Sequence, residues 1–338
     1  MRTAVIFDTP NPGWMDADFK AEIEAGVPEA EYEVAEALME NGHDIYMIGL
    51  HDDLRHPLHQ LEEYRPELVF NCCESFMGNA RYDYGVPALL ELHGYRYTGS
   101  PPEGLVMARD KAASKKVLAY HSVKVPDFVA YDLGIKKIRP PDLDFPLIVK
   151  PLREDASVGI AQSSVVSDEK DLVDRVEFIH RNLTQAAIAE QFIEGREFYI
   201  GMLGNQKLIQ LPTIELIFEK MTDPTMKIAT HTAKWDLDYR ERWGIKNVFA
   251  RPIGKRAQDE IERICPIAFH ALRLRDYGRI DVRLTPDQEV YVLEVNPNPY
   301  ISYGEDMANA ADKIGLDYYE FIERIAEEAL ARYEGAKA

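Results

Sequence analysis

The chain has 338 residues, a length that suits two or three compact units. A composition of 46% hydrophobic and 29% charged residues excludes an intrinsically disordered chain. With 58 Asp and Glu against 39 Lys and Arg, the formal net charge of −19 repels nucleic acid, and the only basic pieces are short ones such as Lys115–Lys116 and Lys136–Lys137.

The N-terminal apolar run around Ala4–Phe7 reads as a buried strand and is too short for a signal-peptide core. No later apolar run approaches the roughly 18 residues of a membrane helix. A helix is predicted from Pro28 to Asn41, with Ala30, Val34, Ala37 and Leu38 on one face and Asn41–Gly42 as its stop. Asp44–Ile48 and Leu68–Cys72 read as further strands, and Tyr84–His93 as a helix ending at Gly94. This alternation predicts a parallel sheet with helices on its faces. No GxGxxG follows the first strand, so a dinucleotide fingerprint is missing. Cys72, Cys73 and Cys265 form no CxxC spacing and no disulfide framework, which suits a reducing cytoplasm. The adjacent pair reads as buried and structural.

Further along, Asp110–His121 and Glu169–Asn182 have helical spacing, while Phe145–Lys150 and Ala186–Ile193 read as strands. Phe198–Leu203 and Lys207–Leu211 flank Gly204–Asn205 as a hairpin. Met221–Trp243 is polar and irregular, Gln258–Arg273 is amphipathic, and a helix over Tyr318–Tyr333 closes the chain. Repeats and low-complexity tracts are missing from the sequence.

The most informative segment runs from Gly278 to Asn296. Two strands joined by a four-residue turn pair Leu284 with Glu289, Asp281 with Val292 and Arg279 with Glu294. Side chains alternate between faces, so Arg279, Asp281, Glu294 and Asn296 share one side. Two carboxylates and an amide oxygen there suit a hard cation such as Mg²⁺. The same face also reads as a solvated hairpin surface with a cross-strand Arg–Glu pair. The stiff exit Asn296-Pro-Asn-Pro299 is of the kind that forms sites.

Separate cations accompany this segment. Lys111 begins a predicted helix, Lys150 ends the strand Phe-Pro-Leu-Ile-Val-Lys, and Lys234 lies in the irregular stretch. A lone lysine is usually a surface charge, but a strand-end lysine beside a flexible loop can reach a phosphate. The loop Arg153–Gly159 offers backbone N–H groups to a triphosphate, or is simply a connector. Glu190, Glu194 and Glu197 sit where strand becomes turn, as partners for adenine and ribose or as exposed charges.

Taken together, this ordered set resembles the ATP-grasp superfamily, and within it the D-alanine–D-alanine ligases. The motifs are Asp110-Lys111, Ile148-Val-Lys-Pro151, Ser157-Val-Gly159, Glu190 through Glu197, Ala233-Lys234, Arg279-Ile-Asp281 and Glu294-Val-Asn296. The resemblance covers the chain from about Val86 onward. It implies an α/β ATP-grasp fold with an N-terminal Rossmann-like (pre-ATP-grasp) parallel-sheet domain. The expected divisions are residues 1–103, a central subdomain over 104–189, and a C-terminal subdomain over 190–338 with the Mg²⁺ and substrate site. By the same resemblance Lys111 and Lys150 contact the ATP phosphates, with Ser157 in the covering loop. Glu190 and the backbone near Ile193 hold adenine, and Glu197 holds ribose. Lys234 approaches the γ-phosphate. Asp281, Glu294 and Asn296 bind two Mg²⁺, with Mn²⁺ as an alternative, and Arg279 stabilises charge on the reacting carboxyl. The implied reaction is amide formation from a small-molecule carboxylate and amine through an acyl phosphate, in a cytoplasmic homodimer without nucleic-acid or membrane partners.

Two departures concern the substrates. Ala30-Glu31-Tyr32-Glu33-Val34 keeps the family's Ala-Glu-x-Glu-Val helix, but its preceding glycine turn is replaced by the longer stretch Thr9–Pro28. Glu31 corresponds to the residue that anchors the first substrate's amine, and its serine and tyrosine partners are replaced by Ala156 and Trp235, which carry no hydroxyl. In the second subsite Tyr300 replaces a glycine, and Glu305 falls near a serine that binds a carboxylate. Two carboxylates facing each other repel. The expectation is therefore a ligase with a different substrate pair, its amine donor lacking that carboxylate or carrying a cation. The alternatives are an authentic D-alanine–D-alanine ligase and an inactive nucleotide-binding module.

Overall fold

The computed structural model describes residues 1–335 apart from 16, 18, 136–137, 139–141 and 155–156. Lys136–Lys137 and Ala156, named above from the sequence, lie outside the described residues. In chain order the first elements are β1 (Arg2–Asp8), α1 (Lys20–Glu24), α2 (Ala30–Glu40), β2 (Asp44–Leu50), α3 (Arg55–Tyr64), β3 (Leu68–Asn71) and α4 (Gly85–Leu92). The three strands form a parallel sheet in the order β2-β1-β3, as the strand–helix alternation predicts. Helix α2 buries Tyr32, Val34, Ala35, Ala37 and Leu38. It stops at Asn41, where Gly42 takes φ +81° and His43 N–H returns to the Leu38 carbonyl. Its first turn carries Glu31.

Next come α5 (Pro102–Arg109), α6 (Lys111–Tyr120), β4 (Phe128–Tyr131), β5 (Leu147–Pro151), β6 (Val165–Val166), α7 (Glu169–Asn182) and β7 (Ala187–Gln191). The strands make an antiparallel sheet, β4-β7-β5-β6. Leu172, Val176 and Ile179 of α7 pack with Leu147, Val149, Ala187 and Ala189 on one face. Alternation puts Ile148, Lys150, Ile188 and Glu190 on the other. Ala112 of α6 packs on Ile188, which brings that helix over the polar face.

The remaining elements are β8 (Arg196–Gly204), β9 (Leu208–Gln210), β10 (Ile214–Phe218), α8 (His231–Trp235), α9 (Leu237–Trp243), β11 (Ile245–Phe249), α10 (Lys255–Ala271), β12 (Tyr277–Leu284), β13 (Val290–Pro297), α11 (Asp306–Asp312) and α12 (Tyr318–Gly335). Six strands form one sheet, ordered β11-β10-β8-β12-β13 with β9 on β8. Its apolar face, with Phe198, Ile200, Ile280, Val282 and Val292, packs on Ile261, Ile264, Cys265 and Phe269 of α10. The opposite face is covered in part by α11 and α12, and the rest of it carries polar side chains. Phe321, Ile322 and Ile325 of α12 share a core with Val34 and Leu38 of α2 and with Leu203 of β8, which joins the first sheet to the third.

That junction has a polar lock. Asp276 is fully buried and accepts from Gly99 N–H at 2.8 Å, Asn205 Nδ2 at 3.0 Å and Arg332 Nη2 at 3.0 Å. A buried carboxylate needs such partners, and these tie three distant segments together. Among the described residues no helix is long and apolar enough to cross a membrane.

Candidate active site

The hairpin register differs from the sequence-based expectation. Leu284 pairs with Val290 rather than Glu289, and Val282 pairs with Val292. A bulge then intervenes, so that Asp281 lies opposite Glu294 and Arg279 opposite Asn296. Leu293 is the extra residue. Its insertion resolves a conflict in the regular hairpin, where Val292 would share the polar face. The bulge sends Val292 and Val295 to the core with Val282 and Ile280, and leaves Glu294 and Asn296 beside Asp281 and Arg279. The expected face is thus assembled, by a register the sequence pattern did not reveal.

Strand β8 extends this face, since Tyr199 pairs with Asp281 and Glu197 with Arg283. Arg279 forms a bidentate pair with Asp281, Nε to Oδ1 at 2.7 Å and Nη2 to Oδ2 at 2.9 Å, and stacks 4.8 Å from the Tyr199 ring. Burial pushes the Asp281 carboxyl up, and Arg279 opposes it. Burial also pushes Glu294 up, but Lys111 and Lys234 outweigh it and hold the carboxyl at about 2. Lys111 Nζ lies 2.9 Å from Glu294 and also donates to the Glu154 carbonyl.

Asn296 Nδ2 is buried with no hydrogen-bond partner. An unpartnered amide beside two carboxylates fits a hard cation, because the amide can turn its oxygen inward. The donor set is oxygen-only. Among the described residues, no cluster of three His, Cys, Asp or Glu side chains offers a metal cage. Two carboxylates and one amide match a cation that shares its shell with phosphate and water.

Glu190 is wholly buried, with Lys150 Nζ 2.8 Å from Oε2 and Lys115 Nζ 3.3 Å from Oε1. Burial favours the protonated acid, yet the two lysines hold Glu190 below its ordinary range. The sequence reading missed Lys115, although its four-residue spacing from Lys111 puts both on one helix face. It also missed Arg283, which meets the Ile193 carbonyl at 3.2 Å and pairs with Glu197, itself an acceptor for Tyr199 OH at 3.1 Å. Ser157 takes φ +62° and donates its hydroxyl to the Ala229 carbonyl at 2.6 Å. That bond links the polar loop to the segment before α8. Thr230 caps α8, accepting from Ala233 N–H at 3.0 Å, and the helix carries Lys234 and Trp235.

A cleft of about 1630 Å³ opens beside this face. Glu31, Lys234, Trp235, Arg279, Asn296, Tyr300 and Glu305 all line it. Lys111, Lys150, Ser157, Glu190, Ile193, Glu197, Asp281 and Glu294 do not. The two groups meet along β12 and β13, where Arg279 and Asn296 face the cleft beside Asp281 and Glu294. Burial pushes the Glu31 carboxyl up to about 7, with Glu29, Asp8 and Glu74 adding to the shift. Burial likewise raises Glu305, and Asp306 adds to it. Cys72 and Cys73 follow β3 rather than ending it and also line the cleft. Both thiols are free, and burial pushes each well up, so neither is a ready nucleophile.

Comparison with known proteins places this geometry. The family model described as D-ala D-ala ligase C-terminus matches residues 114–327. A D-alanine–D-alanine ligase of Syntrophotalea carbinolica is 31% identical over 88% of this chain and 90% of its own. The uncharacterized protein y4sG of Sinorhizobium fredii is 31% identical over 89% of this chain and 88% of its own. Among solved structures, a D-alanine–D-alanine ligase from Bacillus anthracis complexed with ATP superposes with a TM-score of 0.75 at 20% identity, covering 100% of both chains. VanG, a D-Ala:D-Ser ligase of Enterococcus faecalis, gives 0.68 at 20% identity, covering 97% of this chain and 99% of its own. These structural likenesses establish the ATP-grasp fold. The family-model match and the sequence relatives establish descent: the chain belongs to the D-alanine–D-alanine ligase family of ATP-dependent, C–N bond-forming ATP-grasp ligases.

Proposed function

We propose that this ligase joins a small amino-acid-like carboxylate to an amine through an acyl phosphate, and that its substrates are not two D-alanines. The observation that carries the ligase chemistry is the shared face of β12 and β13. It sets Arg279 and Asn296 at a cleft, Asp281 against Arg279, and Glu294 beside Lys111 of α6. In this reading Lys111 and Lys150 meet the ATP phosphates, under the loop that carries Ser157. Adenine and ribose lie along Glu190–Glu197, with the Ile193 backbone at the base. Asp281, Glu294 and Asn296 would hold Mg²⁺, which when bound neutralises charge on phosphoryl oxygens.

The substrate carboxylate attacks the γ-phosphate, and ADP leaves. The neutral amine then attacks the acyl carbon, the C–O bond breaks, phosphate departs with the oxygen, and the proton lost from nitrogen goes to the departing phosphate. Lys234 faces the charge on the transferred group, and Arg279 faces the charge that grows on the carboxyl oxygen. The reading keeps the divisions 1–103, 104–189 and 190–338, whose boundaries fall within α5 and within β7.

The substrate argument is electrostatic. Asp8, Glu22, Glu29, Glu31 and Glu74 line one end of the cleft. Among the described residues, the cation that the first 110 contribute to the lining is Arg109, which pairs with Asp83. Such a wall selects a substrate with at least one ammonium and favours a second positive charge. Glu305 and Asp306 line the cleft where a second substrate's carboxylate would otherwise seat, so the amine donor carries no carboxylate there, or carries a cation.

The names of the sequence relatives favour a second reading, an authentic D-alanine–D-alanine ligase. ADP release from Mg²⁺-ATP should be measured with D-alanine, cationic amino acids of either hand and simple diamines, and products identified by mass. The first reading expects an amide from a cationic substrate and little turnover on D-alanine alone. Fastest turnover on D-alanine, yielding its dipeptide, would replace it with the second.

A further inference from the structure

Lys115 lies outside every role given so far, yet its ammonium sits at the junction of the nucleotide strand and the metal strand. Its residue is 2% exposed, and a buried ammonium must find partners or lose its charge. Nζ donates to the Leu293 carbonyl at 2.5 Å and lies 3.3 Å from Glu190 Oε1. The second contact is a charge contact rather than an aligned hydrogen bond, since Oε1 has no hydrogen-bond partner.

We propose that Lys115 is a positioning residue that keeps Lys150 available to phosphate and fixes the bulge that presents Glu294 and Asn296. Two physical effects support it. The first is charge sharing. Glu190 is wholly buried and faces two lysines, so Lys115, Lys150 and Glu190 together carry one net positive charge. Lys150, the more exposed of the two lysines, expresses that charge toward an incoming anion. Without Lys115, Lys150 and Glu190 become a neutral pair that phosphate must break.

The second effect is on the bulge. Leu293 is the residue inserted into β13, and its carbonyl needs a partner away from the ladder. Lys115 supplies that partner, while Lys111, one turn earlier on α6, holds the next residue, Glu294. One helix face therefore grips two consecutive residues of the metal strand. The grip sets the parity on which the shared polar face depends.

This inference rests on the nucleotide and Mg²⁺ assignments proposed above, so its test separates the two. Binding of ADP to the full chain is measured by titration calorimetry with and without Mg²⁺, for wild type, Lys115→Met and Lys115→Arg. Each variant's melting temperature is recorded alongside. Lys115→Met is expected to bind Mg²⁺-ADP about tenfold more weakly or worse, and to lose most of the gain Mg²⁺ gives wild type. Lys115→Arg, which can reach both a carboxylate and a carbonyl, recovers part of each. If Lys115→Met does not fold, Lys115→Gln, which keeps a donor without the charge, carries the same comparison. A folded Lys115→Met or Lys115→Gln with a lower melting temperature but Mg²⁺-ADP affinity within about twofold of wild type would make Lys115 merely structural and overturn the inference. Failure of wild type to bind Mg²⁺-ADP would instead overturn the nucleotide reading and the inference with it.

Discussion

Glu31 shows how burial alone gives a side chain a measurable signature. Desolvation, reinforced by Glu29, Asp8 and Glu74, pushes its carboxyl from an ordinary 4.5 up to about 7. Between those values the folded protein keeps a proton that the unfolded chain has lost. Stability from this group is thus complete below about pH 4.5, falls as pH rises through 7, and stays low above it. Glu31→Gln removes the titration. We predict that this variant matches wild type near pH 4 and exceeds it by about 1–2 kcal/mol at pH 8, after allowance for solvent screening. Urea denaturation at the two pH values checks this, and equal stability at pH 8 would contradict it. The same residue scale shows what the sequence could and could not reveal. Lys150, Arg279, Asp281 and Glu294 stood out because each interrupts or ends an apolar pattern, and Lys111 because it begins a predicted helix. Lys115 and Arg283 did not, because a charged side chain in a predicted helix or strand is ordinarily solvent-facing. Only the packing of α6 on two sheets, and of β8 on β12, buries them.

At the scale of elements, legibility followed apolar periodicity. Strand β1 and helices α2, α7 and α12 carry strong patterns, and their expected spans agree with the structure to within a few residues. Helix α3 was missed because Arg55–Tyr64 buries only Pro57 and Leu61. Helices α8 and α9 occupy the stretch read as irregular, and between them bury only Ala233. The bulge in β13 was hidden for another reason: one inserted residue reverses parity without leaving a compositional mark. Short α8 has little packing of its own, so its cap matters. Thr230 is buried and bonds Ala233 N–H, and we predict that Thr230→Val costs about 1 kcal/mol. Because α8 carries Lys234, ADP release should slow while Mg²⁺-ADP affinity holds. Urea denaturation and steady-state turnover test the two parts, and an unchanged rate in the destabilised variant would detach α8 from the chemistry.

The whole molecule places its site where three sheets are brought together. Helix α12 and Asp276 fasten the first sheet to the third, and the lysines of α6 bridge the second and third. The anionic wall around Glu31 comes from the first sheet and its connections, while Arg279 and the oxygen donors come from the third. This division explains why the ATP chemistry was legible as an ordered series of motifs and the substrates were not. The residues proposed for phosphate and metal answer to charges common to every ATP-dependent ligase. The substrate wall answers to one pair of molecules and is assembled from residues far apart in the chain. The proposed chemistry turns on the acyl phosphate, which isotope transfer probes. The acid substrate found by the product screen is labelled with oxygen-18 in its carboxyl and turned over with Mg²⁺-ATP and the amine. Each amide formed through an acyl phosphate is expected to release phosphate carrying a labelled oxygen from the acid. Amide formation with unlabelled phosphate would contradict it.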